Sequence, residues 1–224
     1  MKTWPLTVLL TLQIALLGGV IVRLNALARE VRRAGAATGP RPAADVVDVE
    51  PGNGPAKGST DALVTIVEFA DFTCSACAAM QPVVRRAVER PDGRIRWVFR
   101  HFPLAEGRPF DLALAAECAR RQDAFWPMHD ALFAAAARGD ASLDLGEQAA
   151  ALGLDLARFA SCRDSPEAAA AVREDAAAGH RYGVQGTPTL FVNGRRVEGS
   201  LSADRLALEI EHALAYSLSP QPSL

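Results

Sequence analysis

The sequence predicts an α/β domain made of a strand–helix–strand unit, a helical insert and a strand–strand–helix unit, preceded by an apolar N-terminal helix. Three observations carry this. Leu63 to Phe102 reads as an apolar strand, a helix and a second apolar strand; Arg108 to Arg181 keeps helical spacing throughout; and Asn193-Gly194 joins two short runs ahead of a last amphipathic helix. Strand, helix and strand in that order require a right-handed crossover and a parallel pair. Asn-Gly is the strongest two-residue hairpin signal, because both residues tolerate positive φ.

A chain of 224 residues has room for one sizeable core once its terminal segments are set aside. The formal net charge of −2, with no Lys/Arg stripe beyond the N-terminal flank, excludes the electrostatic footprint of nucleic-acid binding. Lys2 and Lys57 are the only lysines among 24 basic residues, a compositional bias without functional content.

Pro5 to Val22 is almost wholly apolar and follows Lys2, so residues 1–34 are expected to be an uncleaved signal anchor with a basic flank. A cleaved signal peptide is the alternative, with Ala26-Leu27-Ala28 as its small-residue site. Arg23, Arg29, Arg32 and Arg33 all follow the apolar run, and by the positive-inside rule alone they would leave the domain in the cytoplasm. The cysteines argue the other way, as described below. Residues 35–60 are rich in Gly, Pro and Ala and read as a flexible linker.

Within the folded region, expected over 61–218 with a tail at 219–224, Leu63–Ala70 is a strand buried on both faces. Glu68 is its anomaly. A helix opens near Cys74 and ends at Pro91-Asp92-Gly93, with Pro82 inside it; Arg94–Phe102 is the second strand. Helical stretches follow at Pro109–Arg121, Ala124–Arg138, Gly146–Leu152 and Asp155–Cys162, and a long one runs from Ser165-Pro166 to about Tyr182. Asp155 and Ser165 are N-cap residues, and Pro166 suits the first helical position. This block, about 108–181, is far longer than a crossover needs and reads as an inserted helical subdomain. Thr187–Val192 and Arg195–Glu198 form the hairpin, and Ser202 caps the last helix.

Chemistry concentrates at Cys74 and Cys77. A helix N-terminus presents unpaired N–H groups and partial positive charge, which stabilise a thiolate, the form that attacks disulfides. Cys77, almost one turn on, can close the pair. Half of a zinc site is the competing reading for this spacing. It needs two further ligands at matching spacing, whereas Cys118 and Cys162 stand singly on different helices.

The phrases V-T-I-V-E-F-A-D-F-T-C-S-A-C, F-R-H-F-P-L, F-W-P-M-H-D-A-L-F and G-V-Q-G-T-P-T-L-F-V-N-G, in this order, resemble the DsbA-like thiol:disulfide oxidoreductases of the thioredoxin-fold superfamily. The resemblance covers about Gly58 to Ser217. It implies a thioredoxin fold carrying a helical insert, no cofactor, and protein or peptide thiols as substrates. Cys74 would be the nucleophile and Cys77 the resolving thiol. Pro188 would be a cis-proline placing the Thr187 backbone beside the cysteines to bind substrate, and Glu68 a buried acid moving protons for Cys77. The dipeptide Ser75-Ala76 departs from the pairs of the best-known members and leaves the redox direction open.

Cys118 and Cys162 form a structural disulfide or remain two buried thiols; a bond between them requires an oxidising compartment. The expectation is therefore an oxidoreductase anchored in the cytoplasmic membrane, with its domain in the periplasm and a membrane redox partner that recycles it. A reductase or isomerase fed by a membrane electron donor, and a redox-silent binding or chaperone module, are the alternatives. His101 lies near the end of the second strand, where it could approach the site, and is read in preference as a satisfied loop histidine. Phe125, Trp126 and Phe133 are read as core of the insert.

Overall fold

The computed structural model describes residues 46–198 and 202–218, together with Gly19 and Arg23. Apart from Gly19, the expected anchor Pro5–Val22 lies outside these residues, as do the first part of the expected linker and the tail at 219–224. Twelve elements follow in order: β1 (Ala56–Lys57), β2 (Val64–Ala70), α1 (Ser75–Val88), β3 (Ile95–His101), α2 (Arg108–Arg120), α3 (Phe125–Ala137), α4 (Leu145–Ala151), α5 (Leu156–Arg163), α6 (Pro166–Arg181), β4 (Thr189–Val192), β5 (Arg195–Glu198) and α7 (Ala203–Leu218).

The sheet has the order β1-β3-β2-β4-β5. β2 and β3 are parallel, pairing Val64 with Ile95 through Ala70 with His101, and every other pair is antiparallel. Strand alternation divides the apolar residues between two cores. Val64, Ile66, Ile95, Trp97, Phe99, Leu190 and Val192 pack with α1, α7 and the insert. Val67, Phe69, Val98, Phe102 and Phe191 face the other way, against Ala176 and Tyr182. With a period of two residues, Glu68 falls on the face that α1 covers.

Three of the insert's helices begin where their capping residues stand. Asp144, Asp155 and Ser165 each accept the N3 backbone N–H of α4, α5 and α6, and Pro166 opens α6. Phe125 and Phe133 are buried and Trp126 half-buried, so the aromatic group is core of the insert. Arg85 on α1 pairs with Asp130 on α3 at 2.6 Å and ties the insert to the first unit.

The expected flexible linker over 35–60 needs correction from Val46 onward. Val46 bridges Arg195, the Val47 N–H donates to the Gly194 carbonyl at 2.9 Å, and β1 pairs antiparallel with β3. Between these anchors Arg100 donates to the carbonyls of Glu50 and Pro51. Its glycines serve close approach here and not freedom of motion. A Cβ on Gly54 would lie 2.3 Å from the Phe99 carbonyl oxygen, and one on Gly58 2.3 Å from that of Ile95. A second adjustment is at β4, which starts at Thr189 and not at Thr187, because Pro188, which follows a cis bond, has no N–H for the ladder.

Candidate active site

The site forms where β2 ends and α1 begins. Asp71, 1% exposed, organises the turn: its carboxylate accepts the Thr73 backbone N–H at 2.6 Å, the Thr73 hydroxyl at 2.7 Å and the Leu104 N–H at 2.8 Å. The Asp71 carbonyl accepts the Cys74 N–H at 3.1 Å. This Asx-type turn delivers Cys74 to the N-cap position of α1.

Cys74 Sγ accepts the Cys77 backbone N–H at 3.1 Å and lies 3.4 Å from the Thr187 carbonyl oxygen. The sulfur thus fills the role that a Ser or Asp oxygen plays at other N-caps. Cys74 is partly exposed and Cys77 fully buried, and both are free thiols. A hydrogen bond from the Cys77 thiol is the main cause that lowers Cys74 to about 6, against the opposing effect of burial. The contact with Thr187 and the Cys77 and Ala76 backbone donors reinforce it. Burial first, and then the hydrogen bond to Cys74, push Cys77 far up. The pair therefore holds one thiolate, on the exposed sulfur.

Glu68 has no solvent exposure. Burial raises it from 4.5 to about 7, opposed by the Gln81 hydrogen bond and the Trp97 indole and aided by the charge of Cys74. Gln81 Nε2 donates to Glu68 Oε1 at 3.1 Å and to the Cys77 carbonyl at 3.0 Å. Glu68 Oε2, Gln81 Oε1 and Trp97 Nε1 are buried without a hydrogen-bond partner of normal geometry.

The fold thus brings Glu68, Cys74, Cys77, Thr187 and Pro188 to one place, although more than a hundred residues separate the cysteines from the cis-proline. Cys118 and Cys162 lie apart from them, in the insert, bonded between α2 and α5 with S–S 2.06 Å. His101 is buried among Phe72, Phe99 and Phe125 with neither ring nitrogen hydrogen-bonded, and burial lowers its pKa. His129 is enclosed by aromatic rings and pairs with Asp130 at 2.8 Å. Two residues of this geometry escaped the sequence reading. Asp71 carried a usable signal, an Asp two residues before a Thr in the break between strand and helix. Gln81 carried a weaker one, a lone amide four residues after Cys77 on the apolar side of α1.

A family model described as Thioredoxin matches residues 50–212. The chain belongs to the thioredoxin family. Its fold is shared with DsbA-type structures. Wolbachia pipientis alpha-DsbA1 superposes with a TM-score of 0.66 at 20% identity, over 76% of this chain and 96% of that one. BdbD from Bacillus subtilis does so with 0.65 at 24%, over 76% and 99%. A thioredoxin-like oxidoreductase from Silicibacter pomeroyi gives 0.63 at 26%, over 72% and 92%.

Curated relatives are more similar in sequence and of another kind. The Na(+)/H(+) antiporter NhaA 1 of Salinispora arenicola is 39% identical over 173 residues, which is 76% of this chain and 26% of the antiporter. NhaA of Herminiimonas arsenicoxydans is 36% identical over 155 residues, 69% and 25% of the two chains. This thioredoxin-family chain spans about a quarter of the length of those relatives. A matched stretch of that size cannot be placed on the chain without covering most of the thioredoxin fold.

Proposed function

We propose that this chain exchanges disulfides with protein or peptide thiols through Cys74 and Cys77. The carrying observation is the Cys74 sulfur at the start of α1, partly exposed, within 3.4 Å of the Thr187 carbonyl. In the oxidised enzyme a substrate thiolate attacks Cys74 Sγ; the Cys74–Cys77 bond breaks and Cys77 leaves as a thiolate that takes a proton. A second substrate thiolate then attacks the substrate sulfur of the mixed disulfide. Cys74 departs as its stabilised thiolate, the substrate carries the new disulfide, and two electrons have passed to the enzyme.

The cis Thr187–Pro188 segment offers main-chain groups beside Cys74 for pairing with an extended substrate. Glu68 exchanges the proton with Cys77. Lowering Cys74 to about 6 stabilises the reduced form and so favours oxidation of substrates over their reduction. The expected reduction potential lies between about −270 and −120 mV, the values of thioredoxin and of strongly oxidising relatives. A potential at or below the lower bound would overturn the oxidase direction in favour of a reductase or isomerase. Retained turnover of a reduced cysteine peptide by Cys74→Ser would leave only a redox-silent binding module.

The setting outside the cytoplasm is part of the same proposal. It is supported by the bonded Cys118–Cys162 pair, since such bonds persist in oxidising compartments. Among the described residues no helix is long and apolar enough to cross a membrane; the proposal assigns the anchoring role to the apolar run Pro5–Val22. The matches to proteins named as antiporters favour a place at a membrane. A membrane redox partner that accepts the two electrons completes the proposal. A phosphatase fused after Leu218 is expected to be active only outside the cytoplasm. Activity confined to the cytoplasm would reverse the topology.

A further inference from the structure

Gln81 holds the buried acid in a way that the chemistry of an amide makes specific. Its side-chain nitrogen has two N–H groups, and both have acceptors: the Cys77 carbonyl at 3.0 Å and Glu68 Oε1 at 3.1 Å. Rotating the amide by half a turn would set its oxygen against two further oxygens, so the orientation is fixed by its partners. Glu68 Oε1 is then committed as an acceptor. Glu68 Oε2, buried and without a hydrogen-bond partner of normal geometry, is the oxygen left to carry a proton, with the Trp97 indole as the other neutral group acting on the carboxyl.

Cys77 and Gln81 stand one turn apart on α1, so the amide ties the carboxyl to the same helical turn that carries the buried thiol. Resting on the disulfide-exchange reading above, we propose that Gln81 is a positioning residue that clamps Glu68 to α1 and directs proton exchange with Cys77 through Glu68 Oε2. When Cys77 leaves the broken disulfide as a thiolate, Oε2 gives up its proton to that sulfur and Glu68 becomes a carboxylate. On reoxidation the Cys74 thiolate attacks a disulfide of the redox partner and forms a mixed disulfide with it, releasing one partner sulfur as a thiolate; the Cys77 thiol then returns its proton to Oε2, and its sulfur attacks Cys74 Sγ and displaces the second partner sulfur, which leaves with the two electrons.

A neutral clamp suits this cycle. Arg or Lys in its place would hold Glu68 ionised well below neutrality and remove the proton to be transferred. The amide lowers Glu68 without cancelling the effect of burial, consistent with a value of about 7. The residues in register with Glu68 on the neighbouring strands, Phe99 and Leu190, carry no charge, and Trp97 on β3 is neutral as well. Cys74 is the charged group that acts on it, as a thiolate that disfavours a second negative charge.

The test is oxidation of a reduced cysteine peptide across the neutral pH range by Gln81→Leu, Glu68→Gln and the double variant. Gln81→Leu is expected to slow turnover about tenfold near neutrality and to move the limb of the pH profile due to Glu68 upward by about one unit. The alkylation limb of Cys74 should stay in place, and adding Gln81→Leu to Glu68→Gln should cost nothing further. An unmoved limb, or a double variant slower than Glu68→Gln by the full factor, overturns the proposal. Carboxyl-carbon NMR of Glu68 in Gln81→Glu is a second reading, independent of turnover and of the fate of the leucine variant. Two carboxyls sharing the site should push the Glu68 titration up, and an unchanged titration refutes the clamp. Cys74→Ser in the same peptide assay separates the two readings: if it retains turnover, disulfide exchange itself fails, whereas a dead Cys74→Ser beside an unmoved limb defeats Gln81 alone.

Discussion

The two cysteine pairs of this chain differ in one structural respect, and their chemistry follows from it. Cys74 and Cys77 sit at the opening of α1, where backbone N–H groups without helical partners face the sulfur. Cys118 and Cys162 sit within α2 and α5, where backbone donors are spent on helical bonds, and they are joined to each other across a sequence separation of 44. One pair is two free thiols with Cys74 lowered to about 6, as the proposed exchange needs; the other is a cross-link. Reactivity here depends on where a helix starts, and cysteine content alone does not separate the two roles.

Substitutions should widen or close that contrast. The largest effect belongs to Cys74→Ser, which is expected to abolish peptide oxidation, while the double variant Cys118→Ala/Cys162→Ala should oxidise the same peptide within about twofold of the unaltered protein. Removal of that cross-link should appear instead in urea unfolding, as a loss of about 2–4 kcal/mol. If the insert pair governed turnover and the first pair governed stability, the comparison would be inverted.

Glu68 supplies a pH-dependent version. Its value in the fold, about 7, lies above the ordinary 4.5, so the stability it contributes is complete below the ordinary value and is lost as pH rises through about 7. Glu68→Gln should therefore be more stable than the unaltered protein by up to about 3 kcal/mol above neutrality, and should lose that advantage in acid. Cys74 runs the other way: its lowered value stabilises the reduced form increasingly as pH rises from about 6 toward 9.0. Iodoacetamide should accordingly label Cys74 with a midpoint near pH 6 and leave Cys77 untouched. The smallest effect concerns the segment ahead of the domain. Gly54→Ala sets a Cβ against the Phe99 carbonyl and should cost about 1–3 kcal/mol in unfolding, with the alkylation midpoint unchanged.

Much of this was legible in the residues because local signals and tertiary outcome agree. The apolar run at Leu63–Ala70, the caps Asp155 and Ser165, and Asn193-Gly194 each mark elements that stand within a residue or two of the expected places. The segment from Val46 to Lys57 was not legible. A glycine that permits motion and a glycine that permits a backbone to lie against a neighbouring strand are the same letter, and only the Phe99 and Ile95 carbonyls distinguish them. Glu68 stood out as a lone acid in a buried strand. Its partner Gln81 did not, since a single amide on a helix is ordinary until the strand beneath it is known.

The segment that begins at Val46 touches the sheet at both margins, bridging Arg195 on β5 and pairing as β1 with β3. If the proposed function holds, the chains this domain meets would carry loose strands seeking hydrogen-bond partners, and an open sheet edge would recruit them as seeds of aggregation. The Val46 bridge at Arg195 and the two-residue length of β1 leave short margins, so under the proposed function the Thr187–Pro188 loop beside Cys74 would be the place where incoming polypeptide pairs.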